Sequence, residues 1–170
     1  MNRVGNIATG GNQSLNGALL RLEAPDTWRT ALAGAIGIAV VVVALIRASR
    51  ANRNGDPFAA AVIIGAAGLV FSPVSWTHHQ VWLVLAGLIA VGGRRGTIAW
   101  FALVAAIMVL PVTSLGATLP TTALTGNARL LLAVAVACLV PFAALRRKRA
   151  DQEPAARPSA GALSMDADPV

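Results

Sequence analysis

Charge is what this sequence has least of. Only 12% of its 170 residues are charged, and only seven of them are acidic, where a soluble domain is nearer a quarter charged. It has a single cysteine, Cys138, inside an apolar run. A disulfide within the chain and a cysteine-based metal site are therefore excluded, and Cys138 reads as a small hydrophobe. The first 29 residues lack an apolar core between a basic start and a cleavage site, so no signal peptide is read there. No P-loop or dinucleotide fingerprint occurs. No charge inside the apolar runs suggests a proton relay or an ion path. The only two histidines, His78 and His79, are adjacent and have no third ligand nearby, which is a poor pattern for zinc. No metal and no cofactor is expected.

What is abundant is hydrocarbon. The chain is 56% hydrophobic with a mean hydropathy of +0.66, which places it in the membrane class. The apolar runs predict an all-α, polytopic bundle of about five spans: 31–46, 58–71, 80–91, 98–112 and 130–145. The third is short, and reaches across only if its helix begins within 76–79. Gly34, Gly37, Gly65 and Gly68 would permit close helix approach. Trp28 suits an interfacial anchor, with Asp26 or Thr27 as helix N-cap. This divides the chain into an outer or interfacial segment (1–29), a membrane domain (30–149) and an unstructured tail (150–170).

The net charge of +7 would raise nucleic-acid binding in a soluble protein. Here the basic residues cluster just outside the runs, as topology signals do, and no nucleic-acid partner is expected. Arg47, Arg50 and Arg53 share a side with Arg94, Arg95 and the basic cluster 146–149. The loops 72–79 and 113–127 carry no Lys or Arg. Arg3, Arg21 and Arg29 dissent, but the balance favours a cytoplasmic C-terminus and, with five spans, an N-terminus outside a plasma membrane. The segments 11–17 and 72–79 then lie on one outer face.

The stretch Phe71-Ser72-Pro73-Val74-Ser75-Trp76-Thr77-His78-His79-Gln80-Val81-Trp82 is a polar island between two apolar runs. Unpaired polar groups at such a boundary cost several kcal/mol, so the island reads as one wall of a site at the membrane surface. His78 or His79 could hold an anion, from an imidazole near a helix start, or could merely cap and pack there. Asn12, Gln13 and Asn16 could bond sugar hydroxyls or simply hold their loop. Arg21 could meet a lipid phosphate or only snorkel. Trp76 and Trp82 read more as interface anchors than as sugar platforms. Glu23 and Asp26 are the only acids on the outer side.

The run Gly11-Asn12-Gln13-Ser14-Leu15-Asn16-Gly17, followed about sixty residues later by Ser72-Pro73-Val74-Ser75-Trp76-Thr77-His78-His79 and Trp82, resembles glycosyltransferase family 87. These are polyprenyl-phosphate-mannose-dependent α-1,2-mannosyltransferases of mycobacteria and relatives. The resemblance implies a GT-C fold, a mannosyl or other hexosyl polyprenyl-phosphate donor, and a glycolipid or glycan acceptor. It points to His78, His79, Asn12, Gln13, Ser75, Trp76 and Arg21 as donor- or substrate-binding residues. It also implies an acidic general base in the first outer loop of a longer chain, upstream of Met1. The expectation is the C-terminal part of such an enzyme, inactive alone. The alternative is a non-enzymatic membrane subunit or transporter-like helper. The two part on whether the histidines and Asn12/Gln13 converge on one outer cavity.

Overall fold

The computed structural model describes residues 11–110 and 125–142. The expected tail at 150–170 and most of the expected loop at 113–127 lie outside these. The described residues form helices and no strands, with one isolated bridge between Val91 and Phe142.

Helix α1 (Leu15–Arg21) is capped by Ser14, whose Oγ accepts from the Gly17 amide at 3.1 Å. It ends in a turn where Glu23 takes φ 56°. Helix α2 (Asp26–Arg53) follows, with Pro25 at the N-cap and no side-chain cap bond. The cap expected of Asp26 or Thr27 is thus displaced by one position: Asp26 sits in the first turn and pairs with Arg29. At 28 residues and ~1.5 Å per residue, α2 runs about 42 Å. It is long and apolar enough to cross a membrane, and Ile38, Val42, Leu45 and Ile46 are exposed along it.

A turn through Gly55 (φ 82°) leads into α3 (Pro57–Phe71). Its start is set by Asp56, whose Oδ1 accepts from the Ala59 amide at 2.9 Å, and by Pro57 in the first turn. Helix α3 is the centre of the bundle and packs on α2, on α4 (Val81–Gly87) and on α6 (Ala128–Cys138). It buries Ala59, Val62, Ile63, Ala66, Ala67 and Val70. Its small residues let neighbours come close. The Phe71 ring lies against Gly37 of α2, where a Cβ would stand 2.7 Å from Cδ2. The Ser72-Pro73 step ends the helix, with Ser72 at ψ 135°.

The third expected span is where the structure differs most. Residues Thr77–Gln80 form a 3-10 turn, α4 has only seven residues, and 88–91 are irregular. The Ala86 carbonyl accepts from Trp100 Nε1 at 2.8 Å, and Gly87 packs on Val104, so α5 (Arg94–Val109) clamps α4 where it ends. The expected fourth span starts earlier than its apolar run, with Arg94 and Arg95 in its first turn. Helices α3 and α6 are apolar but shorter than a bilayer needs. The all-helical class therefore stands among the described residues, with one membrane-length helix where five spans were expected.

Hydrogen bonds sort the bundle into two ends. At one, Arg47 donates to the carbonyls of Val136 (2.7 Å), Ala137 (2.6 Å) and Val140, closing the C-terminus of α6 beside Val91 and Phe142. At the other, Arg129 donates to the last carbonyls of α5, those of Ile107 (3.4 Å) and Met108 (3.2 Å), and to Gln80 Oε1 at 3.3 Å. Each arginine supplies donors to carbonyls that a helix end leaves over. Replacing Arg47 by Met should lower stability by about 2–4 kcal/mol, because two carbonyls of α6 and that of Val140 just after it lose a charged donor. Thermal unfolding in detergent measures this, with exposed Arg50→Met as the control expected to move little.

Candidate functional site: a histidine cavity at the end of the central helix

The site begins with the problem that Ser72-Pro73 creates. Ending α3 at the rim of an apolar bundle leaves a loop, 72–76, whose backbone polar groups are partly buried and outside any ladder. The segment 12–14 answers it. Asn12 Oδ1 accepts from the Ser75 amide at 2.9 Å and the Ser14 amide at 3.2 Å. The Gln13 amide donates to the Ser75 carbonyl at 2.9 Å, and Ser14 Oγ donates to the Pro73 carbonyl at 3.0 Å. The Gln13 side chain reaches the other way, donating to the Gly126 carbonyl at 2.8 Å and accepting from the Leu130 amide at 3.3 Å. Asn12, Gln13 and Ser14 are all buried, at 0%, 2% and 0% exposure. Gly17 faces this knot so closely that a Cβ would stand 2.7 Å from Asn12 Cγ.

Arg21 belongs to the same knot. It donates to the Asn12 carbonyl at 2.8 Å and to Asn127 Oδ1. Burial pushes its guanidinium below its ordinary value, which marks the cost of desolvating the charge there.

Above the knot the chain turns through Thr77–Gln80 and presents both imidazoles. The His79 amide donates to the Trp76 carbonyl at 2.9 Å, and the Trp76 amide donates to His79 Nδ1 at 3.2 Å. With Nδ1 accepting, the neutral ring carries its proton on Nε2, so His79 keeps one outward donor of fixed tautomer. The two rings lie 4.0 Å apart, tilted by 59°, and both residues are exposed.

His78, His79, Ser72 and Ser75 line a cavity of about 420 Å³, walled by Gly65, Gly68 and Leu69 of α3 and by Val81 and Trp82. Ser75 is 1% exposed, and its Oγ is buried without a hydrogen-bond partner among the described residues. A lone buried hydroxyl in a cavity wall is a group waiting for a polar partner. Trp82 lies flat on α3 where Gly65 leaves room, and a Cβ there would meet the indole.

Of the residues singled out in the sequence, His78, His79 and Ser75 therefore line one cavity. Asn12, Gln13 and Arg21 lie beneath it and hold its floor. Trp76 is half-buried and acts through its backbone, and Trp82 is a wall. Glu23 and Asp26 do not line the cavity. Sequence reasoning missed Gln80, 1% exposed and bonded to Arg129, because a glutamine after two histidines carries no pattern. It also missed the part Gly65 and Gly68 play, though their i, i+3 spacing put them on one face of α3.

The comparisons agree with the resemblance drawn from the sequence. The chain is 38% identical over 99 residues to a polyprenol-phosphate-mannose-dependent α-(1-2)-phosphatidylinositol mannoside mannosyltransferase of Mycobacterium tuberculosis, covering 57% of this chain and 23% of that protein. It is 44% identical over 82 residues to a polyprenol-phosphate-mannose-dependent α-(1-2)-phosphatidylinositol pentamannoside mannosyltransferase of the same species, covering 48% and 19%. A mannosyltransferase named as the first, from Mycolicibacterium smegmatis, matches at 35% over 119 residues, covering 65% and 27%. The curated relatives are thus polyprenol-phosphate-mannose-dependent α-1,2 mannosyltransferases, and the matches span about a quarter of their length or less. No family model and no solved structure matches.

If Asn12 is the floor of the site, Asn12→Ala should destabilise the chain by about 2–4 kcal/mol, since it leaves two buried amides without an acceptor. Differential scanning fluorimetry in detergent measures the loss. Substituting exposed Glu23 by Ala should leave the midpoint nearly unmoved.

Proposed function

We propose that this chain is part of a membrane mannosyltransferase, and that the histidine cavity binds the phosphate of a polyprenyl-phosphate-mannose donor on the outer face. One observation carries the reading. In a chain similar to enzymes dependent on that donor, the cavity gathers a histidine of fixed tautomer, a second imidazole and a buried hydroxyl without a partner.

The chemistry follows from those groups. In the transfer, an acceptor hydroxyl attacks C1 of the mannose. The C1–O bond to phosphate breaks, and the polyprenyl phosphate leaves with the bonding electrons. The developing negative charge needs donors placed in advance. His79 Nε2–H and the His78 ring supply them to the phosphate, and Ser75 Oγ adds a hydroxyl. The acceptor hydroxyl gives its proton to a carboxylate, which in this reading comes from a segment outside these 170 residues. The acceptor is a phosphatidylinositol mannoside, by analogy with the relatives.

The membrane arrangement belongs to the same proposal. Residues 30–149 form the multi-span domain, with 1–29 outside and the C-terminus cytoplasmic. Two features support it. Arg47, Arg50 and Arg53 sit at the end of the bundle opposite the cavity, as cytoplasmic arginines would. Large apolar side chains such as Phe101 of α5, Ile64 of α3 and Leu131 of α6 face outward.

The test is binding of radiolabelled polyprenyl-phosphate mannose to the full chain in nanodiscs. His79→Ala should weaken binding about ten- to a hundredfold, the loss of one donor to a charged phosphate. Equal affinity in a folded His79→Ala chain would remove the phosphate-binding role. No binding by the folded wild-type chain would favour the helper-subunit reading.

A further inference from the structure

The histidine turn is tied at both of its ends to the start of one helix. On its N-terminal side, Gln13 bonds the Ser75 carbonyl through its backbone, while its side chain donates to the Gly126 carbonyl and accepts from the Leu130 amide. On its C-terminal side, Gln80 closes the turn Thr77–Gln80, and its Oε1 accepts from Arg129 Nη1 at 3.3 Å. Residues 126–130 lead into α6 and form its first turn. Arg129 is itself held, because its Nε and Nη2 donate to the last carbonyls of α5, those of Ile107 and Met108.

Gln80 is not the side chain that stability alone would place there. It is 1% exposed. An arginine only donates, so the bond to Arg129 sets Oε1 toward the guanidinium and Nε2 away from it. That Nε2 is buried without a hydrogen-bond partner among the described residues. A buried amide with one end unpaired carries a desolvation penalty that a single bond offsets only in part. A leucine of similar size would shed the penalty and lose the bond, two effects of opposite sign. What the amide adds is a fixed tether for the end of the turn.

We infer that Gln80 is a positioning residue for the histidine cavity: tethered by Arg129, it holds the turn so that the Trp76 amide stays on His79 Nδ1. The inference rests on the proposed phosphate-binding role of the cavity, and it names a residue that does not line that cavity. The physical reason lies in the turn. A 3-10 turn has poorer hydrogen-bond geometry than an α-helix. This one is closed by two bonds between Trp76 and His79, from the His79 amide to the Trp76 carbonyl and from the Trp76 amide to Nδ1. Gln80 is the neighbour of His79, so a shift of its backbone passes directly to the ring. Once Nδ1 leaves the Trp76 amide, the neutral ring can carry its proton on either nitrogen. The donor that His79 offers the phosphate would then be present only part of the time.

The test reads the His79 ring itself. The full chain is prepared with nitrogen-labelled histidine, in nanodiscs, under alkaline conditions that keep imidazole neutral. Nuclear magnetic resonance then reports which ring nitrogen carries the proton, with His79 identified by the signal that His79→Ala removes. The wild type should show the Nε2–H tautomer alone. Gln80→Leu should show both tautomers, keep a thermal midpoint close to that of the wild type, and bind polyprenyl-phosphate mannose about tenfold less well. Gln80→Glu keeps an oxygen against Arg129 and should restore the single tautomer, whereas a space-filling role would be served by leucine as well as by glutamate. Arg129→Lys keeps the charge but not the planar fork that reaches several acceptors, and should free the tautomer as Gln80→Leu does. A locked His79 in either folded variant, Gln80→Leu or Arg129→Lys, overturns the inference, as does unchanged donor affinity in Gln80→Leu. In those cases the phosphate reading stands, provided that His79→Ala still weakens donor binding. Should His79→Ala leave donor binding unchanged, the phosphate reading falls and takes this inference with it.

Discussion

Everything near the site depends on where the backbone hydrogen bonds of one loop go. Helix α3 stops at Ser72-Pro73, at the rim of an apolar bundle, and the loop after it is partly buried and outside any helix ladder. Three buried residues from the other end of the sequence satisfy it, two through side chains and one through its backbone. Asn12 takes the Ser75 amide, the Gln13 backbone takes the Ser75 carbonyl, and Ser14 takes the Pro73 carbonyl. Arg21 and Asn127 close the same knot from a third direction. Without it, Ser75 and the histidine turn would have no fixed position, and a cavity built from them would not persist.

The knot explains why the polar residues divide into two layers. The lower layer is bonded within itself and holds the loop. The upper layer is the two exposed histidines and the buried Ser75 hydroxyl, which has no partner among the described residues. A lower layer bonded in this way holds the upper one in place. The outward-facing Nε2–H of His79 shows this on one residue: its other nitrogen is committed to the Trp76 amide, so ring orientation and tautomer are set together.

The two arginine closures, Arg47 on α6 and Arg129 on α5, solve a related problem at opposite ends of the bundle. Short helices expose carbonyls early, and a guanidinium with several donors can serve more than one at once. The ends of α5 and α6 are paired in this way although α6 is shorter than a bilayer. Length alone is thus a poor guide to how this chain passes from one end of the bundle to the other, since α4 and the irregular stretch 88–91 together do so.

Much was legible beforehand. The lack of charge and the apolar runs specified a helical chain rich in apolar surface, because those are properties of composition and local order. The start of α3 at Asp56-Pro57 and its end at Ser72-Pro73 were legible for the same local reason. So was the meeting of 11–17 with 72–79, which the sequence reading had placed on one face. What only the tertiary structure decided was which polar residues hold and which ones offer. Asn12 and Ser75 are equally polar on the page. A contact across about sixty residues of sequence occupies one and leaves the other's hydroxyl open, and no local pattern encodes that choice. The breaking of the third span was undecidable in the same way, since it takes the Trp100 indole and Val104 of a later helix to end α4 at Gly87.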